Sequence, residues 1–125
     1  IVLSIEAKKK DIENWEVYIS NGREPTGLNV LNWIEQGIKL GAGEIFLTSI
    51  DKEGTRRGYD VELMKNASKV CEIPLIASGG LGKISHLLEV IDEGNVDAVA
   101  VADALHYKRL KIDDLKKAIL QNNSD

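Results

Sequence analysis

One cysteine, two histidines, no long apolar run and no excess of positive charge remove several classes of protein at once. A lone Cys71 excludes an internal disulfide and suits a reducing cytoplasm. It closes a helical pattern just before Pro74 and reads as a partly buried structural thiol. His86 and His106 have no companions at metal-ligand spacing, so no metal is expected, and no cofactor is implied. Nothing approaches the ~20 consecutive apolar residues of a membrane span, so no membrane is expected. Lys and Arg number 16 against 20 Asp and Glu, and the net charge of −4 argues against a nucleic-acid partner. Lys8-Lys9-Lys10 and Arg56-Arg57 are too short to overturn that and read as solvated loop. Ile1 lies inside a strand pattern, with no initiator Met and no signal-peptide charge pattern before it. The chain reads as a piece of something longer.

What is present is a composition of 43% hydrophobic and 29% charged residues over 125 positions, that of a single soluble globular domain spanning 1–125. Two junctions dominate it: Thr48-Ser49-Ile50-Asp51-Lys52-Glu53-Gly54-Thr55 and Ile76-Ala77-Ser78-Gly79-Gly80-Leu81-Gly82. Each follows a short apolar run and dissolves into small, polar and glycine residues before a helical pattern begins. The C-terminal ends of parallel strands look like this when their loops hold a phosphorylated ligand. Glycine brings backbone N–H groups close to phosphate oxygens, and a following helix N-terminus adds a favourable dipole.

The pattern predicts strands at 1–5, 44–49, 74–78 and 97–102. Helices are predicted at 28–40, stopped by Gly41; at 60–70, capped by Asp60; at 83–93, ended by Gly94-Asn95; and at 113–120. A short helical turn is expected near 104–107. Residues 7–27 are long for a loop, and within them 15–20 alternate like a hairpin arm ahead of an Asn21-Gly22 turn. Strands apolar on consecutive residues imply a sheet buried on both faces, with parallel strands and right-handed crossovers. The expected fold class is α/β, a (βα)4 half of a TIM (β/α)8 barrel, and an open flavodoxin-like sheet is the alternative. Four parallel strands cannot close, so unpaired edges are expected at the first and last, completed by self-association into a homo-oligomer.

Residues at strand C-termini point at the ligand in such a barrel: Glu6, Ser49 with Asp51, Ser78 with Gly79-Gly80, and Ala102 with Asp103. A carboxylate ending an apolar strand, as Glu6 does, is a candidate general acid or base. The plainer alternative is a salt bridge to Lys8 or Lys9. Glu44 enters an otherwise apolar strand at the opposite face, where it forms a rim salt bridge or lines a central passage.

Gly41-Ala42-Gly43-Glu44-Ile45 leads into Leu47-Thr48-Ser49-Ile50-Asp51, then Glu53-Gly54-Thr55, Gly58-Tyr59-Asp60 and Ile73-Pro74-Leu75-Ile76-Ala77-Ser78-Gly79-Gly80. In this order the motifs resemble the cyclase subunit of imidazole glycerol phosphate synthase, from Ile1 to about Leu120 but over the C-terminal half of that barrel only. The resemblance implies a lyase of histidine biosynthesis. Ammonia from a glutaminase partner attacks a phosphorylated ribotide substrate, giving imidazole glycerol phosphate and aminoimidazole carboxamide ribotide. It implies that Glu6 stands where the family has a catalytic Asp, and that Thr48, Ser49 and Asp51 line the mouth. Glu53, Gly54, Ser78, Gly79 and Gly80 fall on phosphate-holding backbone, and Glu44 falls where ammonia enters. Three departures accompany it. Glu6 is one methylene longer than Asp, and misplacement by about 1 Å costs on the order of 10²-fold in rate. Asp103 replaces a phosphate-binding Ser, so its carboxylate must turn away or weaken that contact. The first catalytic carboxylate belongs to the other half. A cyclase-like paralogue in surface-sugar amidotransfer and a non-catalytic half-barrel are the alternative functions.

Overall fold

The computed structural model describes residues 1–102 and 107–123. The chain runs β1 (Val2–Asp11), β2 (Asn14–Ile19), β3 (Glu24–Asn29), α1 (Val30–Lys39), β4 (Glu44–Ser49), α2 (Val61–Val70), β5 (Leu75–Ser78), α3 (Ile84–Glu93), β6 (Ala98–Ala102), β7 (Tyr107–Lys111) and α4 (Ile112–Asn123). All strands join one sheet in the order β3-β2-β1-β4-β5-β6-β7. The central four, β1-β4-β5-β6, are parallel, as a half-barrel requires.

The pleat sorts the side chains. Ile5, Ala7, Ile45, Leu47, Leu75, Ala77 and Val99 share one core with Val30, Ile34, Leu63, Met64, Ala67 and Val90 from the helices. Each fully buried large aliphatic of this kind contributes roughly 1.5–3 kcal/mol. Alternate residues face the other way, where Ile76, Ala98, Ala100 and Phe46 form a second, small cluster. The helices thus cover one face of the sheet, and the other is the face a closed barrel would turn inward.

Local chemistry explains the helix boundaries. Asn29 Oδ1 accepts from Asn32 N–H at 3.1 Å, so α1 starts at Val30, two residues later than its apolar periodicity suggests. Asp60 Oδ1 caps α2 through Leu63 N–H at 3.0 Å, and its Oδ2 accepts from the buried Trp15 indole N–H at 3.0 Å. One aspartate thereby starts a helix and locks the β1–β2 hairpin beneath it. His86 opens α3: its Nδ1 accepts from the backbone N–H groups of Gly82 and Lys83 at 3.0 and 3.2 Å.

Three sequence expectations change. β1 runs five residues past Glu6, because Ala7, Lys8 and Lys9 pair antiparallel with Val17, Glu16 and Trp15. The 15–20 arm is real, but it pairs on both sides, with β1 and with β3; Pro25 is tolerated because β3 is an edge. Tyr107, placed at the end of a helical turn by its sequence, instead begins β7, which pairs antiparallel with β6 along its whole length. Asp103 and residues 104–106 of that expected turn lie outside the described residues. The edges of β1 and β6 expected to be bare are therefore covered, β1 from Glu6 onward and β6 throughout.

Candidate active-site rim

Glu6, Thr48 and Ser78 lie side by side. Glu6 registers with Thr48 across β1–β4, and Thr48 with Ser78 across β4–β5, so all three stand in one row near the C-terminal ends of the parallel strands. Thr48 is half-buried; Ser78 is fully buried, and its Oγ has no hydrogen-bond partner. Ser49, one residue on, faces the opposite way. It is fully buried, and its Oγ accepts from Lys52 N–H at 3.3 Å while its carbonyl accepts from Glu53 N–H at 3.0 Å. Ser49 therefore builds the loop after β4 rather than lining the row. Asp51 ties that loop to the β1 extension, its Oδ2 accepting from Lys9 N–H at 2.7 Å.

The two glycine-bearing loops meet. Gly58 N–H donates to the Gly80 carbonyl at 2.7 Å. A Cβ on Gly79 would lie 2.8 Å from the Ser49 carbonyl oxygen and 3.0 Å from Glu53 Oε2, and one on Gly80 would collide with the Gly58 carbonyl. Both glycines hold positive φ, +94° and +114°, which side chains resist. Between these loops lies an open pocket of about 290 Å³, lined by Glu53, Gly54, Arg56, Gly79, Gly80, Leu81 and Ala100. Arg56 lines this pocket, although its sequence reads as solvated loop. The available signal was a cation set within a glycine-flanked loop after a strand. The α3 N-terminus is less open than its position suggests, because His86 already occupies the N–H groups of Gly82 and Lys83.

Tyr59 stands behind the pocket, 4% exposed, its hydroxyl donating to the Ala100 carbonyl at 3.4 Å. Burial, and secondarily the Glu53 carboxylate, push its pKa up to about 12. Burial likewise raises Cys71 at the far end of the molecule, with a smaller push in the same direction from the Asp97 carboxylate.

Glu6 makes no ion pair with Lys8 or Lys9 among the contacts described. Its Oε2 accepts from Gly22 N–H at 3.0 Å. Glu44, at the start of β4, is ion-paired with Arg109 of β7 at 2.9 Å, the rim salt bridge of the two alternatives its position left open.

Parallel strands with helices on one face, and glycine-bearing turns meeting at their C-terminal ends, define half of a (β/α)8 barrel. Comparison with known proteins makes this particular: the chain matches histidine biosynthesis protein over residues 1–111 and belongs to that family. It is 38% identical over 122 residues to the imidazole glycerol phosphate synthase subunit HisF of Streptococcus mutans, covering 98% of this chain and 49% of that protein. The corresponding subunit of Prochlorococcus marinus is 47% identical, covering 96% and 48%. That of Clostridium botulinum strain Okra is 46% identical, covering 93% and 46%. The chain thus spans about half the length of the curated relatives it matches.

Proposed function

We propose that this chain is the C-terminal half of a cyclase barrel that takes ammonia from a glutaminase subunit and closes an imidazole ring on a phosphorylated ribotide. The observation that carries this is the meeting of the 51–59 and 79–82 loops around Arg56, on the rim that also bears Glu6, Thr48 and Ser78. The relatives named as synthase subunits support the histidine pathway.

In this reading a substrate phosphate lies against Gly79 and Gly80, with Arg56 supplying charge-assisted hydrogen bonds. Ser78 Oγ, buried and unpartnered, turns its hydroxyl to the substrate. Glu6 stands at the acid–base position with one carboxylate oxygen held by Gly22. Glu44 belongs to the end where ammonia enters, and the Arg109 pair must yield for it to do so. The other half of the barrel covers the inner face and carries the first catalytic carboxylate.

Titration of the 125-residue chain with inorganic phosphate and with glycerol phosphate tests the site. Amide shifts at Gly79 and Gly80 are expected, and Arg56→Ala should weaken binding about tenfold, as loss of a hydrogen bond to a charged group does. Shifts elsewhere only, or an Arg56→Ala variant that binds equally well, would refute the site. In a full-length barrel carrying these residues, Glu6→Gln should lower ammonia-dependent turnover about 10²–10⁴-fold. Unchanged turnover removes Glu6 from the chemistry.

A further inference from the structure

The hairpin turn between β2 and β3 is strained and yet well anchored. Ser20, Asn21 and Gly22 take successive φ values of +56°, +58° and +80°. Two of them carry side chains, so the conformation is intrinsically unfavourable and needs support from outside the turn. Within the hairpin, Arg23 N–H donates to the Ile19 carbonyl at 3.1 Å. From outside come two contacts. Glu6 Oε2 accepts from Gly22 N–H at 3.0 Å, and the Ile50 side chain lies 3.2 Å from where a Gly22 Cβ would stand.

Glu6 faces Tyr18 across the β1–β2 ladder, so its carboxylate must travel beyond the end of β2 to reach Gly22. We propose that Glu6 is a positioning residue: the length of its side chain pins the β2–β3 hairpin tip to the rim of the half-barrel. An aspartate would end about one C–C bond (roughly 1.5 Å) short, outside the distance at which an N–H···O bond holds. The added methylene thus serves the hairpin, and Ile50 seats the same tip from the neighbouring loop. That the pinned tip borders a substrate mouth rests on the function proposed above; the pin itself does not.

Amide exchange in the isotope-labelled 125-residue chain tests this without any ligand. Glu6→Asp and Glu6→Ala should speed exchange at Gly22 about tenfold, the usual effect of losing a charge-assisted bond. Glu6→Gln keeps both reach and an acceptor oxygen and should stay within about threefold of the parent. Lys9 N–H, bonded to Asp51, serves as the internal control and should keep its protection throughout. Wild-type protection of Gly22 in Glu6→Asp overturns the proposal, as does equal loss in Asp and Gln variants, which would make charge and not reach decisive. Should a variant fail to fold, the parent still decides: its Gly22 amide shift must follow the titration of the Glu6 carboxylate, and independence of the two refutes the pin. Phosphate binding lost with the pin intact would sink the functional reading alone, and the reverse result this inference alone.

Discussion

Gly80 carries the tightest steric demand described at the rim. Its φ of +114° and the Gly58 carbonyl in the space of its missing Cβ act together. Gly80→Ala should destabilise the protein by about 3 kcal/mol or more, combining backbone strain with overpacking, as a denaturant midpoint shift would show. Glycine at 79–80 was legible as loop chemistry, but its reason was only half legible. A run of glycines suggests close approach of a ligand; what the structure shows is one loop lying on another. Tyr59 gives a prediction of known sign. Its phenol is held neutral in the fold with a pKa of about 12, against 10.0 when unfolded. Stability from this residue is complete below pH 10 and declines as pH rises toward 12, by about 2–3 kcal/mol in all. Phenolate absorbance should therefore appear in two stages, with the Tyr59 share arriving near pH 12 together with unfolding.

At the level of elements, Asp60 joins two structures that the sequence shows separately. Its place before Val61 marks it as a helix cap; its bond to Trp15, 45 positions away, is invisible to periodicity. Asp60→Ala loses both and should cost about 2–3 kcal/mol, whereas Asp60→Asn should recover most of that, measured by thermal or urea unfolding. The four parallel strands and the helices between them were readable because apolar runs, caps and glycine stops agree with one another. β3 and β7 were not readable. Glu24-Pro25-Thr26-Gly27-Leu28-Asn29 and Tyr107-Lys108-Arg109-Leu110-Lys111 lack the alternation of a half-buried strand. They are strands because the sheet offers each an unpaired edge, a cause that lies in their neighbours.

For the whole molecule, the Arg109–Glu44 pair ties the last strand back to the middle of the sheet. Arg109 stands on β7 and Glu44 on β4, three strand spacings apart, about 14 Å in a flat sheet. Their contact at 2.9 Å bridges β5 and β6 on the inner face of the sheet. Arg109 is exposed and Glu44 only half-buried, so Arg109→Ala should cost about 1 kcal/mol in two-state unfolding; a loss well above that would make the pair a structural clamp. With β2 and β7 on the flanks, the bare edges of the described sheet move out to β3, β7 and the part of β1 ahead of Glu6, while Ile76, Ala98, Ala100 and Phe46 lie on its inner face. Composition and short-range pattern were sufficient for the class of fold, the order of its parallel strands and the position of the glycine-bearing loops that follow β4 and β5. Those features follow from periodicity and local backbone preference, which act over a few residues. Only the tertiary structure decided that Ser49 supports a loop, that Arg56 joins the glycines, that Glu6 holds a hairpin and that Glu44 meets Arg109. Apart from the Ser49 turn, whose partners lie three and four residues on, each is a contact between segments distant in sequence, and such pairings are set by which strands and loops the sheet brings together.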